Sequence, residues 1–206
     1  MTQPTTAPSS ARLLATPGAL GLADLVGIFD DLQFALKCCE RLVAELERPP
    51  ARLDAVLIES LWVSALNSYA RCFRTGDRGM GLTVEDVKAT EVPGEVAEWH
   101  ELLGRIRDFA IDGATNPRED YSVGVSQSGS GQAAGIVITS AVRPLVDDVT
   151  VRQTGRLAFE LSRLVDERIK EQQQKVFTAA ERMTAEQLSD LPAIEVAVDP
   201  VAAPSQ

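Results

Sequence analysis

The run LADLVGIFDDLQFALKCCERLVAEL, Leu22 to Leu46, decides the fold. Leu22, Leu25, Phe29, Leu32, Leu36, Cys39, Val43 and Leu46 recur at alternating spacings of three and four, which lines them up along one side of an α-helix. Pro49 and Pro50 end it, because proline has no amide hydrogen to give and its ring blocks the preceding turn. A seam this long has two readings, an interface between two copies or the core-facing side of one helix in a bundle. Packing within the chain is preferred, because other segments of this chain also carry apolar stripes that need covering.

Moving outward, Asp54 is a cap for a second helix, with Ile58, Leu61, Ala65, Tyr69 and Cys72 on one face, Trp62 and Phe73 widening it, and an end near Gly76. Thr83 caps a short turn over Val84 to Ala89. In Val96 to Gly113, VAEWHELLGRIRDFAIDG, the stripe is Val96, Trp99, Leu103, Ile106 and Ala110, and His100 and Arg107 run along its edge. The period then changes. Tyr121, Val123 and Val125 alternate with small polar residues, Gly129 to Gln132 supply a turn, and Ala134, Ile136 and Ile138 alternate again, so a β-hairpin is expected near 121–140. Thr150 to Gln153 has the form of a capping box for a last long helix near 150–183, carrying Leu157, Leu161, Leu164, Val165 and Ile169. Gln173 interrupts that stripe, so the second half is expected to project and to need a partner for Val176 and Phe177. Thr184 restarts a short helix before Pro192.

The fold class that follows is mainly α, an antiparallel bundle of four or more helices with one β-hairpin insertion. One domain, 18–191, is expected between two loose tails, 1–17 and 192–206, whose Thr, Ser, Pro and Ala have no apolar period.

Charge and cysteine usage exclude several functions. With 20 basic and 30 acidic side chains the formal charge is −10, so unspecific attraction to a phosphate backbone is disfavoured unless cations gather in one place. Three cysteines, two of them adjacent at Cys38 and Cys39, give neither a disulfide framework nor metal-ligand spacing. One histidine is too little for a metal constellation or a nucleophilic triad, and Gly129-Ser130-Gly131 lacks the lysine of a phosphate loop. No metal and no cofactor are implied. Without an unbroken signal core or a stretch of ~20 apolar residues, the expectation is a soluble cytoplasmic protein with no membrane contact.

Two segments carry a family likeness. ESLWVSALNSYARCFRTGDRG (Glu59 to Gly79) followed by HELLGRIRDFAIDGATN (His100 to Asn116) resembles the bacterial HEPN-like helical proteins, over roughly Asp54 to Asn116. In catalytic members of that family an arginine followed at short spacing by histidine, paired across a dimer, cleaves RNA without a metal. Arg107 matches the motif arginine and Asp108 its polar neighbour. Ala110 and Gly113 stand where the histidines would be, and neither side chain carries a proton. The resemblance therefore implies a non-catalytic binding or regulatory domain, a homodimer holding a nucleotide or RNA phosphate on Arg107 with help from Arg71 or Arg78. Its alternative is a metal-independent RNase using His100 of the partner subunit, because His100 and Arg107 of one chain are about 10 Å apart along the helix axis. A structural adaptor acting through the long helices is a further alternative. Plainer roles compete at each position: a partly buried His100 beside Trp99, an Arg107 paired with Asp108 or Asp112, and Arg71 and Arg78 neutralised by Asp77, Glu85, Asp86 and Glu91.

Overall fold

The computed structural model describes residues 11–74, 79–111, 113 and 116–194. It is mainly helical with one long hairpin. Helix α1, Pro17–Leu46, starts at Thr16, whose hydroxyl accepts from the Ala19 amide while Pro17 fills the first turn. A 3-10 turn at Pro50–Arg52 leads into α2, Ala55–Arg71, capped by the Asp54 carboxylate accepting from the Leu57 amide at 3.0 Å. Helix α3 is Val84–Lys88 and α4 is Val96–Ile111. After the hairpin come α5, Asp148–Ala180, and α6, Ala185–Ser189.

Helix α1 lies between α2 and α5 and runs antiparallel to both. Gly18 at its start lies beside Gln172 and Val176, whereas Cys39 lies beside Gly155. On its other flank Asp31 meets Arg71, and Glu45 meets the Asp54 amide. Helix α4 packs on α2, and α3 bridges α4 and α5. Being covered from two directions widens the buried face of α1 beyond a single seam. Ile28, Ala35, Cys38 and Leu42 are buried alongside Leu25, Leu32 and Cys39, and Phe29, Leu36 and Val43 sit on its flank. The expected seam is thus right in period and off-centre in phase. Its facing partners include Ile58, Ala65 and Leu66 of α2 and Leu157, Ala158, Leu161 and Val165 of α5, each large aliphatic side chain stabilising by about 1.5–3 kcal/mol. Because the two long helices turn these stripes towards the core, that part of their surface is closed to an adaptor role.

Several boundaries depart from expectation for local reasons. Helix α5 is capped by Asp147, which accepts from the Thr150 amide at 2.9 Å, so the Thr150 capping box is not formed and Thr150 lies inside the helix. A carboxylate three residues upstream outcompetes it. Thr184 does form its capping box with Gln187 at α6. The second half of α5 does not stand wholly alone, since Gln172 Nε2 donates to the Gly18 carbonyl at 2.9 Å, although Phe177 is exposed. Of the expected tails, Ala11–Arg12 (β1) pairs antiparallel with Ala193–Ile194 (here the last strand, β4). Residues 1–10 and 195–206 lie outside the described residues.

The hairpin is longer than its alternation indicated. Strand β2, Glu119–Gln127, pairs with β3, Ala133–Val142, in the register Val123↔Ile138. Gly131 closes the turn at φ 81°, a conformation that favours glycine. At the root, the Arg143 amide donates to the Arg118 carbonyl at 2.8 Å, Arg118 pairs with Glu59 of α2, and the Arg143 guanidinium sits 4.7 Å over the Phe109 ring of α4. Beyond that root the hairpin stands clear of the helices. Among the described residues no helix is long and apolar enough to cross a membrane.

Candidate functional site

Helix α4 presents Val96, Trp99, Leu103 and Ile106 to the core, as its spacing indicates, and only Leu103 is fully enclosed. His100 is next to this face and half-buried. Its Nδ1 lies 2.8 Å from the Tyr69 hydroxyl of α2, and its ring packs 4.3 Å from that of Phe73 and 5.7 Å from that of Tyr69. Tyr69 and Phe73, one helical turn apart at 5.1 Å, complete an aromatic cluster. Burial pushes the His100 imidazole below its ordinary value, with Glu101 acting weakly in the opposite direction. Burial pushes the Tyr69 phenol up, helped by Cys72. Both groups are thereby held neutral near pH 7, one donating to the other. His100 faces Tyr69 and not Arg107, and the two stand nearly two turns apart along α4.

Arg107 occupies the other end of the same helix. Its side chain is only 15% exposed and forms an ion pair with the exposed Asp108. The Nε–H is buried and has no acceptor among the described residues. An unmatched buried donor costs about 1–3 kcal/mol. Trp99 Nε1, two turns earlier on the helix, is also buried without an acceptor among the described residues.

Of the other expected cations, the described one, Arg71, does not join it. Arg71 turns to α1, where its Nε and Nη2 both donate to Asp31 Oδ1, the former at 3.0 Å, and Nη2 also reaches Ser68 Oγ at 3.1 Å. The hydrogen bond it donates to the Asp31 carboxylate holds this guanidinium more firmly protonated than usual. Arg78 and Asp112 lie outside the described residues. Asp86, expected to neutralise the Arg71 region, instead receives Arg168 of α5 and both the amide and hydroxyl of Thr83. Burial raises its carboxyl, but these donors together bring it below the ordinary value.

Comparison with protein-family models, with curated proteins and with solved structures gave no match. The site therefore has to be read from its own geometry. Among the described residues no three His, Cys, Asp or Glu side chains group as metal ligands do. What α4 offers is a recessed guanidinium with one donor unmet among the described residues and no imidazole turned towards it.

The Tyr69–His100 pair escaped sequence reasoning, although Tyr69 on a core stripe was a signal, because a buried phenol needs a polar partner. Asp31 gave a similar sign, a carboxylate next to Leu32 on the covered side of α1. Which cation it meets depends on the rotation of α2, which no local pattern records.

Proposed function

We propose that this chain is a non-catalytic, HEPN-like binding module that captures an anionic group through Arg107, with a nucleotide or RNA phosphate as the chemical class. The observation that carries this reading is the enclosed Arg107 guanidinium with its Nε–H unsatisfied among the described residues. A phosphate oxygen supplies the missing acceptor, and its charge outweighs that of the exposed Asp108 that now shares the guanidinium. Arg71, tied to Asp31, is left out of the recognition set. A non-catalytic role is supported by Ala110 and Gly113 at the motif positions and by a neutral His100 committed to Tyr69.

The test is thermal unfolding with inorganic phosphate, a nucleoside triphosphate and a short RNA. Ligand at about 100 times its Kd stabilises the native state by about 2.7 kcal/mol. The stabilisation should vanish in Arg107→Ala and fall sharply in Arg107→Lys, which keeps the charge but has no Nε–H. If none of the three ligands raises the transition, the anion-binding reading fails. RNA incubated with the protein should stay intact; cleavage abolished by His100→Ala would install the RNase reading in its place.

A further inference from the structure

The two faces of the hairpin differ. By its register, one face carries Tyr121, Val123, Val125, Ile136, Ile138 and Val142, and the other carries Ser122, Gly124, Ser126, Thr139 and Ala141 with Val137. The six apolar side chains are 58–78% exposed. A two-stranded hairpin covered by nothing is at best marginally stable in water, and a continuous apolar patch on this scale marks a contact surface.

Charge narrows the partner. A molecule of net charge −10 repels copies of itself and anionic lipid over most of its surface, but the only charged side chain on this face is Glu119 at its root. Like-charged copies can therefore meet here.

We infer that the apolar hairpin face is a homodimer interface, in which the hairpins of two copies pack face to face as a small four-stranded sandwich. Six side chains of about 100 Å² each give roughly 600 Å² per copy. Two copies together remove about 1,200 Å², the lower edge of what a specific interface needs. A two-fold axis makes the contact self-matching, with each copy supplying the same uncharged patch. Anchoring of the root by Arg118 on Glu59 and Arg143 over Phe109 fixes the direction in which the hairpin is offered. Nothing in this contact uses Arg107, so it stands or falls separately from anion binding.

Light scattering on the full chain at micromolar concentration is expected to give twice the 22.2 kDa of one chain. Ile138→Lys places a charge in the middle of the patch and should weaken the dimer by about 100-fold or more, leaving one-chain mass and an unchanged helical circular dichroism signal. Should that variant lose its helical signal, Val123→Thr/Ile138→Thr, which keeps β-branched residues, decides on the same readout: one-chain mass supports the interface and two-chain mass overturns it. A one-chain mass for the native protein overturns it, whether or not that protein floats with neutral or anionic vesicles. Two-chain mass in a folded Ile138→Lys also overturns it and moves the dimer contact elsewhere.

Discussion

Changing His100 to phenylalanine keeps a ring against Phe73, 4.3 Å away, but leaves the Tyr69 hydroxyl without its 2.8 Å partner. Tyr69 is 2% exposed, so water does not replace the imidazole there, and the unmatched hydroxyl costs about 1–3 kcal/mol. The more apolar ring offsets part of this, so a net loss of about 1–2 kcal/mol is expected. Tyr69→Phe alone costs about 0.5–1.5 kcal/mol, since the half-buried His100 has more access to solvent. Removing both polar partners together is nearly neutral, which gives a coupling of about 1.5–3.5 kcal/mol across the double-mutant cycle. Urea unfolding at constant m measures each corner. Acidity gives a second readout. Because burial holds folded His100 below the ordinary 6.5, both states are uncharged well above that value and the group adds no slope. As pH falls below 6.5 the unfolded chain takes up a proton that the folded chain resists, so native stability declines until the folded value is passed. His100→Phe lacks this component of the decline. Strictly additive single changes, or identical acid slopes in the two proteins, would refute the buried neutral pair. Intact phosphate binding in His100→Phe is expected as well, because the imidazole and Arg107 are apart.

Three further changes probe the scaffold. Asp86→Asn removes the charge that holds Arg168 and should lower stability by about 1.5–3 kcal/mol; since the folded Asp86 carboxyl lies below 3.8, its stabilising effect is full above that value and lost as pH falls through the folded value, an acid limb that chemical denaturation should find missing in the variant. Gly155→Ala brings a methyl 3.3 Å from Cys39 Cβ; helix propensity favours alanine by about 1 kcal/mol, but close-packed helix atoms cannot withdraw easily, so the net effect in thermal unfolding is a loss of about 1 kcal/mol and a larger one for Gly155→Val. Asp54→Ala deletes the α2 cap and the hydrogen bond to the Leu57 amide, and a fall of about 1 kcal/mol is expected by urea titration.

The periodic segments were legible in the sequence because one face of each helix meets apolar neighbours whatever their identity. Leu25, Leu32 and Cys39 fall on the buried side of α1 under any bundle geometry. The phase of the broader face was not legible, since Ile28, Ala35 and Leu42 become central only when α2 and α5 approach from different sides. Hairpin alternation from Tyr121 to Val125 was visible, but its isolation was not: the same pattern describes a strand buried against a helix. At the candidate site, Arg107 with Asp108 was readable from adjacency. Arg71 with Asp31 and Asp86 with Arg168 join residues 40 and 82 positions apart, so they depend on tertiary placement alone.

The buried sulfurs also make the molecule its own gauge of opening. Cys39 lies against Gly155 at the α1–α5 contact, and Cys72 Sγ sits 3.7 Å from the Ile28 carbonyl at the α1–α2 contact. Desolvation first, then Cys38 and Glu40, push the Cys39 thiol up to about 12, so alkylating reagents reach a thiolate only after that helix pair parts. Equal labelling rates at the two positions would describe a bundle that opens as one cooperative unit, whereas faster labelling at one would identify which outer helix leaves first.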